Sequence, residues 1–362
     1  MTYYGSLLVE LSLSSPHQDR DKMLRTFLLF SLFIASCLSL TYHGADISSV
    51  PIVERSVTFT DNGQRAPFET IMRNHGGNAA RVRVWTAGDY TLNFALALGK
   101  RIKAAGMTLI VDLHYSDTWA DPGKQAIPSG WPTTLDGLNT QIWTYTRDVV
   151  QAFSNQGTPI DILQVGNEIN SGLLWPVGQI SKNGINPVSQ LLHSAVNGAK
   201  AAGSPKILIH LANGWDWSDL NWWFSNVFIP GALSTSDVDI IGVSFYPFYD
   251  SGATLNNLRS SLTNLANQLH KPIVVAETDW PVSCSGAALT EPSIPISAQG
   301  QETWVTDIKN VLAGLPNGLG QGIFYWEPAW IGNANLGSHC SDNLVVTSSG
   351  ATRSSINIFN DM

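Results

Sequence analysis

The chain has 362 residues, 44% apolar and only 13% charged, with a net charge of −8. That composition excludes a disordered chain, and the lack of any basic run argues against a nucleic-acid partner. The length suits one large domain, and single-domain barrels of this size are ordinary.

From Met23 the sequence reads MLRTFLLFSLFIASCLSL. Arg25 supplies the basic start, residues 27–35 an apolar core, and Cys37-Leu38-Ser39 a small-residue cleavage site, the pattern of a secretory signal. The apolar core is roughly half the length a membrane span needs. Residues 1–22 read as an extension or an alternative start, so translation begins at Met1 or at Met23. The expectation is a segment 1–39, with the signal proper at 23–39, and a domain 40–362 that is secreted, free of the membrane and monomeric. Of the three cysteines, Cys37 leaves with the signal. Cys284 and Cys340 then make an even count in an oxidising compartment, which reads as one disulfide. No Asn-x-Ser/Thr acceptor is present.

Beyond the signal, strand-like runs alternate with helical patterns, which predicts a parallel α/β sheet. The strands fall at 42–47, 80–85, 107–113, 162–165, 206–211, 238–244, 273–277 and 322–326. Helices are expected near 65–74, 92–105, 140–155 and 187–202. Eight such units without a linker make a single (β/α)8 barrel. Polar and aromatic residues gather after the C-terminal ends of strands three to eight, as a barrel with one active face requires.

The fourth strand ends in Gly166-Asn167-Glu168 and the seventh in Glu277-Thr278-Asp279-Trp280. A lone strand-end glutamate reads more readily as half of an ion pair. Two of them, beside an asparagine and many aromatics, suggest the acid and nucleophile of a glycosidase, with carboxyls roughly 5–5.5 Å apart in a retaining enzyme. Arg81 and Arg83 share an inward face, a costly position unless they meet carboxylates. Arg83 and Tyr246 are expected to donate hydrogen bonds to Glu277, and Asn167 to bind a sugar hydroxyl. All 13 tryptophans lie after residue 84. Trp119, Trp131, Trp175, Trp215, Trp280, Trp326 and Trp330 fall in strand-end loops, where flat rings stack on sugar faces, whereas Trp222 and Trp223 read as helix packing. His114 and His210 lack ligand partners at metal spacing and read as hydrogen-bonding groups. No metal or cofactor is expected.

With these residues in view, the chain resembles the fungal endo-β-1,4-galactanases of glycoside hydrolase family 53. The matching runs are GADISS at 44–49, RVRVW at 81–85, DLHYSDTWADP at 112–122, GNEI around Glu168, GLLWPVG at 172–178, ETDWPVSC at 277–284 and YWEPAWIGNANLG at 325–337. The resemblance implies a (β/α)8 barrel with Glu168 as acid/base and Glu277 as nucleophile, supported by His114. It also implies β-1,4-galactan of plant cell walls as substrate, contacted by Asp46, His210, Asn213 and the loop tryptophans. The chain departs from the family where Thr86-Ala87-Gly88-Asp89 shortens the loop after Trp85. It departs again where Phe245-Tyr246-Pro247 leaves Tyr246 as the sole hydroxyl donor there, and at Ala212-Asn213. Where bacterial relatives can carry calcium in the last loops, this chain has its two cysteines, as fungal relatives do. The competing readings are another β-glycanase on the same barrel, of mannanase or cellulase type, and an inactive carbohydrate-binding protein.

Overall fold

The computed structural model describes residues 40–362; the signal expected at 23–39 lies outside them. Eight parallel strands form a closed barrel: β1 (Tyr42–Asp46), β2 (Ala79–Val84), β3 (Thr108–Leu113), β4 (Ile162–Val165), β5 (Lys206–Leu211), β6 (Ile240–Ser244), β7 (Ile273–Thr278) and β8 (Gly320–Trp326). Around the barrel the order is β1-β8-β7-β6-β5-β4-β3-β2, and β1 closes it by pairing with both β2 and β8. The main helices are α1 (Phe68–Asn74), α2 (Leu92–Ala104), α3 (Leu135–Asn155), α4 (Asn186–Ala202), α5 (Trp217–Val227), α6 (Leu255–Leu269), α7 (Ala298–Ala313) and the short α8 (Ile358–Asp361). Among the described residues, no helix is long and apolar enough to cross a membrane.

Strand bounds agree with the expected ones to within about two residues, as do the starts of α2 and α4, whereas those of α1 and α3 differ by three and five. α3 begins five residues before the expected Thr140, because the Thr134 side chain accepts the Gly137 N–H and caps the first turn. α5, α6 and α7 have no counterpart among the ranges expected from sequence. In α6, Leu258, Leu262 and Leu265 are buried at helical spacing, and Thr254 caps the start. Of the tryptophan pair in α5, Trp223 is buried and packs as expected, while Trp222 is 46% exposed.

The barrel interior is filled in two tiers. Tyr42, Ala79, Ile110, Ile162, Leu208, Ile240, Val274 and Phe324 form an apolar cluster. Large rings fit there because glycines face them: a Cβ on Gly44 would lie 2.4 Å from the Phe324 ring. Two residues further along β2–β5, and four beyond Tyr42 on β1, the same inward face turns polar, with Arg81, Asp112, Gln164, His210 and Asp46, all buried. The active face lies above this polar tier. On β7 the pairing register shifts between Val275 and Thr278, so Ala276 joins the apolar cluster while Glu277 pairs opposite Ser244. A bulge of this kind re-aims one side chain at a strand end.

Candidate active site

A cleft of about 530 Å³ opens over the C-terminal ends of the strands, with Glu168 and Glu277 both on its wall. Glu168 follows Gly166 and Asn167 at the end of β4 and has φ +48°, a left-handed conformation that costs about 1–3 kcal/mol and clusters at functional sites. Its Oε1 accepts a 2.6 Å hydrogen bond from the Ser244 hydroxyl. Burial first, and then the charge of Glu277, push its carboxyl up to about 8.

Glu277 is held differently. Arg81 Nη1 lies 2.9 Å from Oε1, and the Tyr246 hydroxyl donates to Oε2 at 2.9 Å. Burial raises the Glu277 carboxyl, while Arg81 and Tyr246 oppose that rise. When the two carboxyls share one proton it resides on Glu168, because Glu277 alone has a guanidinium against it.

Arg81 is the hub of the polar tier. Its Nε donates to Gln164 Oε1 at 3.0 Å, Nη1 to Asp46 at 2.9 Å, and Nη2 to Asp112 at 2.9 Å and Asn167 at 2.8 Å. With Glu277 these partners use all five of its N–H groups. Arg81→Met is expected to leave Asp112 and Glu277 without a guanidinium, and Asp46 with Arg83 alone, and to cost roughly 3–5 kcal/mol. Urea unfolding measures this, and a loss below about 1 kcal/mol would show that the network does not hold the barrel together.

This arrangement corrects the expected role of Arg83. Its guanidinium does not reach Glu277; it pairs with Glu327 and, at 3.4 Å, with Asp46. It also lies 3.9 Å from the Tyr90 ring centroid and 4.6 Å from that of Trp119, so its place is beneath the aromatic wall. Asp46 is fully buried beneath the cleft and serves the two arginines instead of substrate. His210 is equally enclosed, within hydrogen-bond distance of Ser244 and Asn167, and burial and then Arg81 hold it well below its ordinary pKa. Trp280 is not in the cleft at all: it is fully buried against Trp304, its indole N–H on the Pro295 carbonyl. Trp175 lies outside the cleft lining, its indole N–H bonded to Ser171 O.

Trp131 also lies outside the cleft lining, its ring packed on Tyr145 with centroids 5.5 Å apart, whereas the other expected residues line the cleft. Trp119, Trp326 and Trp330 form one aromatic cluster, with ring centroids 6.0–6.3 Å apart. Asn213 and Trp215 line it from the β5 loop. His114 takes the Ala120 N–H on Nδ1 and gives its Nε2 proton to Asp112 at 2.9 Å. Asn167 gives one amide proton to Ala120 O and keeps one for the cleft. Among the described residues no group of three or more His, Cys, Asp or Glu side chains is placed to hold a metal ion.

Sequence reasoning overlooked the tie between Arg81 and Glu277, the Ser244 contact to Glu168, the cleft-lining Tyr249, and Glu327 as the Arg83 partner. Ser244 and Glu327 each sit at a strand end, which was the available signal. Asp279 is also buried, and burial, followed by the charges of Glu277 and Glu327, raises its carboxyl well above the ordinary range.

The family described as glycosyl hydrolase family 53 matches residues 42–359. An arabinogalactan endo-beta-1,4-galactanase of Thermothelomyces thermophilus is 47% identical over 333 residues, covering 89% of this chain and 99% of that one. An arabinogalactan endo-beta-1,4-galactanase A of Aspergillus niger is 45% identical, covering 94% of this chain and all of that one. Among solved structures, one of two fungal beta-1,4-galactanases superposes with a TM-score of 0.86 at 45% identity, covering 90% of this chain and all of that one. A family 113 beta-1,4-mannanase shares only the fold, at 13% identity and a TM-score of 0.54, covering 89% of this chain and 98% of that one.

Proposed function

The chain belongs to glycosyl hydrolase family 53, and from that premise we propose that it is a secreted, monomeric endo-β-1,4-galactanase. It cleaves internal bonds of plant cell-wall galactan with retention of configuration. The observation that carries this reading is the unequal treatment of two cleft glutamates: Arg81 and Tyr246 favour an ionised Glu277, whereas Glu168 has one neutral hydroxyl as partner. Separated protonation states are what double displacement needs. Glu277 attacks the anomeric carbon while Glu168 gives its proton to the departing oxygen, leaving a galactosyl ester on Glu277. Water, deprotonated by Glu168, then releases the sugar and restores both groups. Tyr246 and Arg81 keep the nucleophile oriented, and Asn167 offers its remaining N–H to a hydroxyl of the reacting sugar. The relatives named as galactanases support galactan over mannan or cellulose.

Proton NMR of freshly cut unbranched galactan tests the reading: the β-anomer is expected first, with α appearing only by mutarotation. An initial α-product would overturn retention, and faster cleavage of mannan or cellulose would overturn the substrate. Secretion is supported by the apolar segment at 27–35 and is tested by whether the exported protein begins near Leu40.

The Cys284–Cys340 disulfide, Cα atoms 4.1 Å apart, ties the loops after β7 and β8. The second loop carries Trp330, Asn333 and Leu336 into the cleft. With the cysteines 56 positions apart in sequence, the bond contributes about 2–4 kcal/mol through the unfolded state. Reduction, or a Cys284→Ser/Cys340→Ser variant, is expected to raise KM for long galactan more than it lowers kcat. An unchanged KM and an unchanged urea midpoint would refute this.

A further inference from the structure

The two glutamates divide the barrel mouth into unequal sectors. Going around the barrel from β4 to β7, one route passes β5 and β6 and the other passes β3, β2, β1 and β8. The longer route carries the cluster of Trp119, Trp326 and Trp330. The shorter carries a second pair of aromatics, Trp215 after β5 and Tyr249 after β6.

This second pair is built, not incidental. A Cβ on Gly252 would lie 2.4 Å from the Trp215 ring, so the glycine lets the β6 loop back that ring directly. The same turn is tied by the Gly252 N–H on Asp250 Oδ1 at 2.7 Å and the Ala253 N–H on Asp250 O at 3.1 Å. Tyr249 is 54% exposed, yet its ring is braced edge-on by Tyr246 at 5.4 Å and Phe248 at 4.7 Å. An exposed aromatic held rigid on one side presents its other face at small entropic cost. Tyr249 also reaches across the mouth: its hydroxyl lies 3.9 Å from where a Cβ on Gly337 would stand, on the loop after β8.

The direction of the chain follows from the acid. Glu168 is held from the short sector, by Ser244 at the end of β6. The proton it delivers goes to the bridging oxygen, so the leaving half of the substrate lies on that side.

We propose that Tyr249 is a specificity-determining residue of the leaving-group half of the cleft, its ring stacking on the departing part of the galactan. The inference rests on the galactanase reading. The same surface receives an incoming acceptor when a sugar replaces water. The acceptor hydroxyl oxygen attacks the anomeric carbon, the ester bond to Glu277 breaks, and the hydroxyl proton passes to the Glu168 carboxylate.

Tyr249→Ala and Tyr249→Phe test this on two substrates, unbranched galactan and β-galactobiosyl fluoride, whose leaving group is no sugar. The Ala variant is expected to lose about five- to tenfold more kcat/KM on galactan than on the fluoride. Its transfer to added galactobiose should fall by a similar factor relative to hydrolysis. The Phe variant, which keeps the ring, should behave as wild type in both ratios. Equal losses on the two substrates, or transfer unchanged in the Ala variant, would overturn the assignment. A wild-type protein inactive on galactan would overturn the galactanase reading and this inference with it, a result visible without any variant.

Discussion

Glu277→Ala is expected to lower galactan turnover by at least about 10⁴-fold, because it removes the carboxylate that forms the ester. Arg81 retains Asp46 and Asp112 as partners, so the barrel keeps its charge balance and the variant folds. The space vacated beside Arg81 and Tyr246 admits a small anion. With an activated aryl galactoside, azide should restore part of the rate and give the α-galactosyl azide, inverted relative to substrate. A β-azide product, or turnover near wild type, would remove Glu277 from the nucleophile's role.

The complementary experiment is Glu168→Ala, expected to cost about 10²–10⁴-fold on galactan. On aryl substrates whose leaving group needs no proton, the first step should survive and azide should now yield the β-product. A loss of equal size on both substrates would assign Glu168 a structural part. The pH profile follows from the same group. Burial and the Glu277 charge hold the Glu168 carboxyl at about 8. The acid works protonated, so kcat/KM should hold through neutral pH and fall as pH rises past that value. Glu277→Gln removes the neighbouring charge and should lower the Glu168 pKa, read by carbon NMR of labelled glutamate. An unmoved pKa would show that the two carboxyls do not sense each other.

How much of this was legible before the structure depended on depth in the barrel. The strands were, because parallel strands covered on both faces read as short apolar runs; β4 and β5 fall at the expected residues. Both glutamates were legible because each follows such a run. The two arginines were not separable. Period two places Arg81 and Arg83 on one face, but which of them meets Glu277 depends on height, and height depends on how neighbouring strands are staggered. Arg81 pairs in register with Asp46 and Ile110; Arg83 pairs with Asp112, one step nearer the mouth. Loop tryptophans were ambiguous for a related reason. Trp280 leaves the β7 end toward α7, where Trp304 and Gln301 receive it, and no pattern in ETDWPVSC encodes that direction. α6 eluded the reading because asparagines and serines dilute its leucine stripe.

The polar tier around Arg81 is drawn from β1, β2, β3, β4 and β7, and β1 completes its own pairing only when β8 arrives. Contacts this distant in sequence form late. A ribosome that has released β1 through β6 has therefore made neither the nucleophile nor the last barrel strand, and the growing chain holds a charge cluster without its closing partner. Catalytic competence and barrel closure then arise together, near the end of synthesis.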